Sequence, residues 1–417
     1  MRKVLWTIGS LIFPIIATAI LYYQTRHHLF VHFDDIDFIG DRNPIISNGL
    51  SWESIKWAFT RYHMANFIPL TWISHMLDYQ LFGSNPGCFA LHSMLIHAAN
   101  AVLVSVLATM IFHTPVAGLI AGSIFAVHPG LVEGVAWIAQ RKTLLATFFF
   151  FFAVISYWTA LSHTRRFKVW YLASILATFL SLLSKGMYVT IPLILPVFDL
   201  ILYHSPSARN SGFSICRDSD LFRRIAVRMV PYFSIALAVG IMTIVSQSGD
   251  GAVRSLDSYS LVYRAQNILA SYAQYLRIFF FPVGLSVLYP LETSISLYSI
   301  ISGALILFIC TLGLYSARDR VGFIPLCGFL IFIVTLLPVI GLIQVGNQAY
   351  ADRYLYGPIF GLILVFVALA DFGYRKSKGF VRPLLIISLF GWFGWITILG
   401  FRQVSCWEDS SSLALAS

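Results

Sequence analysis

The carboxylates best placed to do chemistry are the adjacent pair Asp34 and Asp35, which Asp37 follows closely. They come directly after the first hydrophobic segment, among apolar and aromatic residues. Apolar surroundings and neighbouring anions both raise the proton affinity of a carboxylate, so this cluster is unfavourable unless a site uses it. A carboxylate in such a place can take a proton from a hydroxyl group. Asp34 and Asp35 are therefore the candidate catalytic residues.

Four basic residues could supply the positive charge that an anionic substrate needs. Lys185 lies alone between two long apolar stretches, where an ionisable group is by default a functional candidate. Arg353 follows Asp352 in a tyrosine-rich segment, and Arg141 and Lys142 are adjacent. Arg353 could donate to a phosphate while Asp352 orients it, or the two could simply form a local ion pair. The other three could instead snorkel to the membrane surface.

A further polar cluster at a membrane boundary contains His128 and Glu133, which could help to position a substrate. No glycine-rich phosphate loop is present. The sequence contains eleven histidines, which could suggest a zinc site, but their spacing is not that of zinc ligands. No metal site is therefore predicted.

The composition assigns these residues to a membrane protein. Of the 417 residues, 58% are hydrophobic and 11% are charged, whereas about a quarter of a soluble domain is charged. The net charge of +10 comes from basic residues in short loops rather than in one patch, so no nucleic-acid partner is predicted. The five cysteines show no paired spacing and identify no redox role.

Eleven apolar runs have spanning length and predict an all-α polytopic membrane protein. They lie at about 4–23, 89–112, 115–127 continuing into the next loop, 143–161, 167–184, 188–203, 227–245, 296–316, 321–343, 358–373 and 383–400. Gln274, Arg277 and Pro282 interrupt a twelfth candidate at 266–285. We interpret that stretch as re-entrant or interfacial, because a twelfth span would move strongly basic loops to the outer face.

With the N-terminus inside, most carboxylates lie on the outer face, where we expect the functional site. We expect one transmembrane domain over 1–403 and an outer tail over 404–417. The domain includes a first outer catalytic loop at 24–88 and an outer loop with the re-entrant or interfacial segment at 246–295. In the first loop, helical apolar spacing around 52–59 and 70–81 predicts two helices that lie in the membrane interface, the second opened by Pro69. Two helices that merely cap the bundle are the alternative.

A carboxylate and several cations on one face suit transfer from a lipid-linked phosphosugar. The carboxylate deprotonates an acceptor hydroxyl, which attacks the anomeric carbon. The phosphate leaves as an anion and needs positive charge more than a proton donor. Because a polyprenyl-phosphate sugar carries a single phosphodiester charge, no cofactor is required, and dependence on a divalent metal stays open.

Several motifs, in the right order, resemble a known family. The acidic segment at 33–38 resembles the first-loop motif of the protein O-mannosyltransferases and of the wider GT-C glycosyltransferase fold. A more specific resemblance is to the transmembrane and tetratricopeptide-repeat O-mannosyltransferases and their bacterial relatives, and it covers nearly the whole chain. The motifs that carry it are Asn66-Phe67-Ile68-Pro69-Leu70-Thr71-Trp72, the His128-to-Lys142 segment, Leu183-Ser184-Lys185 with Val189-Thr190-Ile191-Pro192, and Ala351-Asp352-Arg353-Tyr354 with Tyr356 and Pro358.

The resemblance implies a GT-C bundle of about eleven transmembrane helices and transfer of mannose or a similar hexose. The donor would be a polyprenyl-phosphate sugar and the acceptor Ser or Thr hydroxyls of exported proteins. A bacterial inner membrane with a periplasmic active site is the expected location. Relatives continue into tetratricopeptide repeats, and the residues from Cys406 to Ser417 resemble the junction where such repeats would begin. Either the repeats were removed, or the protein never had an arm that binds the acceptor. Departures at Ile68, Thr143 and Gly186 leave the sugar and the subfamily open.

The resemblance also assigns roles to individual residues. Asp34 aligns with the catalytic acidic residue of the first loop, and Asp35 is its neighbour. We infer phosphate contacts for four cations and a pocket-building role for four other residues. The inferred phosphate contacts are Lys185, Arg353, Arg141 and Lys142, and the pocket residues are His128, Glu133, Asp352 and Tyr354.

Two other functions stay open. The first is GT-C transfer to a lipid or glycan acceptor instead of a protein. The second is transport of lipid-linked sugars, which predicts internal repeats, broken helices and polar groups near the middle of the membrane. The acidic groups of this chain lie mostly at one face, which favours a transferase.

Overall fold

The computed structural model describes residues 2–39, 43–162, 164–204, 218–249, 259–292, 294–344 and 346–416. Cys216 and part of the 246–295 loop lie outside these residues. The α-helices in chain order are α1 Arg2–Tyr22, α2 Asp35–Phe38, α3 Pro44–Ser47, α4 Trp52–Thr60, α5 Pro69–Phe82, α6 Pro86–Phe112, α7 Pro115–Val127, α8 Val132–Ala136, α9 Arg141–Ser162, α10 Phe167–Ser184, α11 Ile191–Tyr203, α12 Asp218–Gly249, α13 Leu261–Phe280, α14 Leu297–Val321, α15 Ile324–Leu336, α16 Ile359–Lys376, α17 Val381–Ser405 and α18 Ser410–Ala416. The strands β1 Tyr289–Pro290 and β2 Gln348–Tyr350 form one short antiparallel pair.

Among the described residues, seven helices are long and apolar enough to cross a membrane. Helices α7, α11, α15 and α16 fall on the remaining predicted spans. The outermost helices expose apolar side chains such as Phe308 and Ile387, which are 63% and 67% exposed. Such surfaces are tolerated when lipid covers them. The expected fold class, an all-α polytopic membrane bundle, is confirmed.

Prolines explain two boundaries that hydropathy alone placed differently. The predicted span at 321–343 ends early, because α15 stops at Leu336, shortly before Pro338, and proline has no backbone N–H to continue the helical hydrogen bonds. Helix α7 ends at Val127, and the chain bends by 62° before it continues as Pro129–Ala136.

The expected outer loop at 128–142 is not a solvated loop. It folds as a 3-10 turn at Pro129–Leu131, helix α8 and a second 3-10 turn at Ile138–Gln140, and every residue from 128 to 142 is buried. Its polar side chains made it look like a surface segment. The structure instead uses them for hydrogen bonds inside the outer half of the molecule.

Most of the interrupted stretch at 266–285 belongs to α13, which packs along the apolar helix α14. Arg264 near its start donates to the carbonyl oxygen of Leu342 at 3.2 Å. The carbonyl oxygen of Phe279 near its end lies 3.0 Å from Nε2 of His128. The re-entrant or interfacial position of this segment stays a prediction.

The two helices predicted in the first outer loop are present as α4 and α5, and α5 begins at Pro69. Some of the apolar residues that indicated them face outwards, since Trp52 is 80% and Leu81 62% exposed. The buried faces are formed by other residues, including Ala58 and Trp72. An exposed apolar face on a helix beside the membrane is typical of an interfacial helix.

The C-terminal residues pack against the start of the first outer loop. The backbone N–H of Leu29 donates to the carbonyl oxygen of Glu408 at 2.8 Å, and that of His32 donates to Oγ of Ser410 at 2.9 Å. Trp407 is 1% exposed and stacks on Trp137 with ring centroids 5.6 Å apart. These contacts place the C-terminal segment on the same face as Asp34.

Candidate active site

A cavity of about 490 Å³ lies at the face of the bundle that carries Asp34. Its wall is built from the first outer loop, the start of α9, the turn after α10, helix α12 and the non-helical residues after α15. Among the described residues, the charged side chains in this wall are Asp34, Lys142, Lys185 and Arg353. The fold thus brings together one carboxylate and three cations from four distant parts of the chain.

The adjacent carboxylates Asp34 and Asp35 have different surroundings. Asp34 precedes α2, makes no side-chain capping hydrogen bond and lines the cavity. Asp35 is 1% exposed, and its oxygens accept from the backbone N–H groups of Val31 at 3.1 Å and Ala139 at 2.8 Å. Burial raises the pKa of Asp35 to about 7. Asp35 therefore ties the first loop to the segment before α9 and leaves Asp34 to face the cavity.

Lys185 follows the last residue of α10 and reaches across to α9. Its Nζ donates to Oγ1 of Thr143 at 2.8 Å and lies 5.8 Å from the centre of the Tyr354 ring. Burial, together with the positive charges of Lys142 and Arg353, lowers the pKa of Lys185 well below its usual value. An anion bound in the cavity would favour the charged form again.

Lys142 occupies the second position of α9, where it lines the cavity with 7% of its surface exposed. Its Nζ lies 4.3 Å from the centre of the Phe38 ring. This cation–π contact holds the ammonium group against α2, next to the loop that carries Asp34.

Arg353 is fixed by an ion pair with Glu133. Its backbone N–H donates to one Glu133 oxygen at 2.7 Å and its Nη1 donates to the other at 2.5 Å. The guanidinium also lies over the rings of Trp137 and Tyr354, at 5.4 and 5.1 Å from their centres. The pair compensates part of the charge of Arg353 and sets the position of its remaining N–H donors.

Two of the expected pocket residues lie behind the wall. Glu133 and Asp352 are buried and do not line the cavity, whereas Tyr354 does. The hydroxyl of Tyr289 lies 3.2 Å from both carboxylate oxygens of Asp352. Burial and the nearby Glu133 carboxylate raise the pKa of Asp352 well above its usual range. Glu133 and Asp352 therefore support Arg353 from behind.

The position of Arg141 differs from the one expected for a phosphate contact. Its guanidinium is fully buried, forms an ion pair with Asp78 and donates to the carbonyl oxygen of Phe89 at 2.6 Å and to Oγ of Ser93 at 3.3 Å. Asp78 also contacts Nδ1 of His92 at 2.5 Å. Arg141 does not line the cavity. It connects α5, α6 and α9 instead of contacting a substrate phosphate.

His128 also lies away from the cavity. Its Nδ1 accepts from the backbone N–H of Gly130 at 3.2 Å, so Nε2 carries the proton and donates to Phe279 at 3.0 Å. The imidazole stacks on the Phe279 ring and is completely buried. His128 thus fixes the end of α13, which corrects its expected place in the pocket wall.

The wall carries more positive than negative charge. Glu133 compensates Arg353, and the charges of Lys142 and Lys185 exceed the single charge of Asp34. An anion is the ligand that this balance favours. In the described part of the chain, no group of three or more His, Cys, Asp or Glu side chains is arranged to hold a metal ion.

The amide side chains in the cavity wall were not predicted from the sequence. Asn66, Gln140, Gln344 and Gln348 all line the cavity. Amides carry no charge and follow no ligand spacing, so no sequence rule singles them out. Asp78, the ion-pair partner of Arg141, was not predicted either, because nothing in the sequence links the two positions.

The arrangement can be compared with known proteins. No protein-family model matches the chain. It is 30% identical over 175 residues to the human protein O-mannosyl-transferase TMTC2 and 28% identical over 158 residues to human TMTC4. These alignments cover 41% and 33% of this chain, but only 21% of either relative.

The fold comparison covers more of the chain. The crystal structure of the Archaeoglobus fulgidus oligosaccharyltransferase, tethered to an acceptor peptide, matches 96% of this chain and 55% of its own with a TM-score of 0.51. The sequence identity is 12%, so this likeness concerns the fold alone. The chain is an integral membrane protein with the GT-C fold, and part of it is similar in sequence to the protein O-mannosyl-transferases.

Proposed function

We propose that the protein is a membrane glycosyltransferase that uses a polyprenyl-phosphate sugar. It transfers mannose or a similar hexose to Ser or Thr hydroxyl groups of exported proteins. The observation that carries the proposal is the meeting of Asp34 with Lys142, Lys185 and Arg353 in one cavity wall. The sequence similarity to protein O-mannosyl-transferases supports the choice of sugar and acceptor.

The reaction assigns the two kinds of charge to opposite sides of the anomeric carbon. The Asp34 carboxylate takes the proton of the acceptor hydroxyl, and the oxygen forms a bond to the anomeric carbon. The bond between that carbon and the phosphate oxygen breaks, and its electron pair leaves with the phosphate. The released phosphate monoester carries more negative charge than the donor diester, so the cations stabilise the transition state more than the ground state.

The apolar side of the cavity suits the lipid part of the donor. Ile244, Leu342 and Ile343 line the cavity and are 45%, 51% and 45% exposed. They therefore join the interior of the cavity to the outside of the bundle, where lipid would cover them. A prenyl chain lying along these residues would present its phosphate to Lys142 and Lys185.

The proposal contains no cofactor. The donor phosphodiester carries one negative charge, which the wall cations can balance by hydrogen bonds and Coulomb attraction. We place the protein in a bacterial inner membrane with the cavity on the periplasmic side, because the carboxylates and the cavity share the face opposite the basic loops.

Intact-mass analysis of exported proteins from cells with and without the gene tests this function. We expect hexose increments on Ser or Thr that disappear with the gene. Unchanged exported proteins together with an altered membrane glycolipid or cell-wall glycan would assign the enzyme to the other class of acceptor. No change in any glycosylated product would contradict the proposed activity.

A further inference from the structure

Gln140 presents an unused hydrogen-bond donor to the cavity. It ends the 3-10 turn Ile138–Gln140 immediately before α9, lines the cavity and is 2% exposed. Its side-chain oxygen accepts from Oγ1 of Thr143 at 3.2 Å. Within the described residues, its Nε2 group donates to no protein atom. An amide donor that faces a cavity and has no protein partner is free to bind a ligand or water.

The hydrogen-bond chain behind Gln140 fixes which end of the amide faces the cavity. In its charged form Lys185 can only donate, so its Nζ uses a lone pair of the Thr143 hydroxyl. The hydroxyl proton of Thr143 then needs an acceptor, and the amide oxygen of Gln140 supplies it. A flipped amide would leave that proton without a partner. The NH₂ group of Gln140 is therefore the end that points into the cavity.

The position of Gln140 lies between the candidate base and the cations. Ala139, the preceding residue, donates to Asp35 at 2.8 Å and so adjoins the loop of Asp34. Thr143, three residues later, contacts Lys185 at 2.8 Å. In the proposed reaction the anomeric carbon lies between the attacking hydroxyl at Asp34 and the leaving phosphate at the lysines. The sugar ring must then occupy the space that Gln140 faces.

We propose that the Nε2 group of Gln140 donates a hydrogen bond to a hydroxyl oxygen of the transferred sugar. Gln140 is thus a specificity-determining residue that distinguishes sugars by the presence of that hydroxyl. This inference rests on the proposed glycosyl transfer.

The amides of Gln344, Gln348 and Asn66 lack this property. The Nε2 group of Gln344 donates to the carbonyl oxygen of Gln348 at 2.9 Å, and that of Gln348 donates to the hydroxyl of Tyr354 at 2.9 Å. The amide of Asn66 donates to the carbonyl oxygen of Met64. Their donors are satisfied by the protein, so Gln344 provides a matched control for Gln140.

The test is a comparison of donors in purified, reconstituted protein. The probes are polyprenyl-phosphate mannose and a set of monodeoxy analogues, each lacking one sugar hydroxyl. The wild type should use one analogue about tenfold less well than the parent donor, as expected for one hydrogen bond to a buried polar group. In Gln140→Met this penalty should vanish while the other analogues keep their ranking. Gln344→Met should preserve the wild-type ranking.

The outcomes separate this inference from the proposed function. A wild type without transfer from any donor refutes both. A wild type that transfers mannose while Gln140→Met lowers the use of every donor by the same factor refutes the sugar contact alone and assigns Gln140 to the phosphate or to the fold. If Gln140→Met does not fold, Gln140→Glu replaces it, because Glu keeps the oxygen that Thr143 needs and still removes the amide donor. A deoxy penalty that persists in Gln140→Glu contradicts the proposal.

Discussion

Lys185 is the wall cation with the least local compensation. Arg353 has Glu133 as a direct partner at 2.5 Å, whereas the described hydrogen bond of the Lys185 ammonium goes to a neutral hydroxyl, that of Thr143. Lys142 is stabilised by the nearby carboxylate of Asp34. An incoming phosphate therefore gains most from Lys185, since no protein carboxylate in contact competes for it.

Replacing Lys185 by Gln should weaken donor use. The loss of one charged hydrogen bond to an anion costs about 1.5–3 kcal/mol, or roughly tenfold or more in kcat/KM for the donor. Lys185→Arg keeps the charge and should retain most of the activity. Steady-state kinetics with varied donor concentration measure the effect, and thermal unfolding of both variants checks the fold. Donor dependence of Lys185→Gln equal to that of the wild type would assign the residue to structure.

Replacing Arg353 tests the role of the wall cations in donor binding less directly. Arg353→Ala would leave the Glu133 carboxylate buried without its partner, and removal of one member of a buried ion pair typically costs about 3–5 kcal/mol of stability. Reduced activity would then mix lost folding with lost donor binding.

The sequence identified the charged wall residues from their types and from their places at span ends. It could not separate Lys142 from Arg141. Successive residues of a helix point about 100° apart, so one of this pair lines the cavity and the other is buried against Asp78. The rotation that decides between them depends on packing with α5 and α6, which no local pattern records.

Among the elements, the C-terminal segment supports the site from outside the cavity. Trp407 packs on Trp137, and Trp137 in turn lies under the guanidinium of Arg353. The hydrogen bond between Leu29 and Glu408 holds the same segment to the first outer loop. This short segment therefore braces both Arg353 and the loop that carries Asp34.

Truncating Trp407 should destabilise the protein and disturb the site. A buried Trp→Ala change typically costs about 3–5 kcal/mol, so Trp407→Ala should lower Tm in detergent and reduce transfer below the level explained by the folded fraction. Trp52→Ala is the matched control, because Trp52 is 80% exposed and surface changes usually stay within about 0.5 kcal/mol. Equal Tm values for the two variants would refute the bracing role.

Element boundaries followed from the sequence where proline or capping chemistry is local. Pro69 opens α5. Pro338 lacks the backbone N–H that a continuing helix needs, so its presence could have shortened the predicted span at 321–343. The segment at 128–142 was mistaken for an outer loop, because hydropathy does not distinguish a solvated polar side chain from a buried one with partners. Glu133 and Arg141 have such partners in Arg353 and Asp78.

For the whole molecule, the distribution of charge sets the orientation. The C-terminal segment contacts the first outer loop directly, through the 2.8 Å hydrogen bond from Leu29 to Glu408. The two therefore lie on one side of the membrane. The basic turn between α16 and α17 lies at the other end of α17 and should be cytoplasmic.

Reporter fusions measure this orientation. A reporter that is active only outside the cytoplasm should work when fused after Ser417 and fail when inserted at Lys378, in the turn between α16 and α17. The reverse pattern would overturn the assignment of the cavity to the outer face. Activity at both positions would contradict a crossing of the membrane by α17.

The places of the apolar helices could be derived from the sequence, because bilayer thickness fixes the length of a span. The meeting of four distant segments at one cavity could not. It depends on how α9, α10 and the residues before α16 pack. The motifs indicated which residues matter, while the arrangement decided that Asp34 faces the cavity and Asp35 does not.

The most direct test of the proposed mechanism is sugar transfer by purified Asp34→Asn. Asn keeps the size of the side chain but cannot accept the proton, and loss of a general base typically lowers the rate by about 10²–10⁴. We expect donor binding close to that of the wild type and almost no transfer to a hydroxyl acceptor. Asp35→Asn, in contrast, should lower stability. The Asp35 carboxylate accepts hydrogen bonds from two backbone N–H groups, and in the variant one of these groups would face the NH₂ of the amide. A folded Asp34→Asn protein with near wild-type turnover would contradict the mechanism.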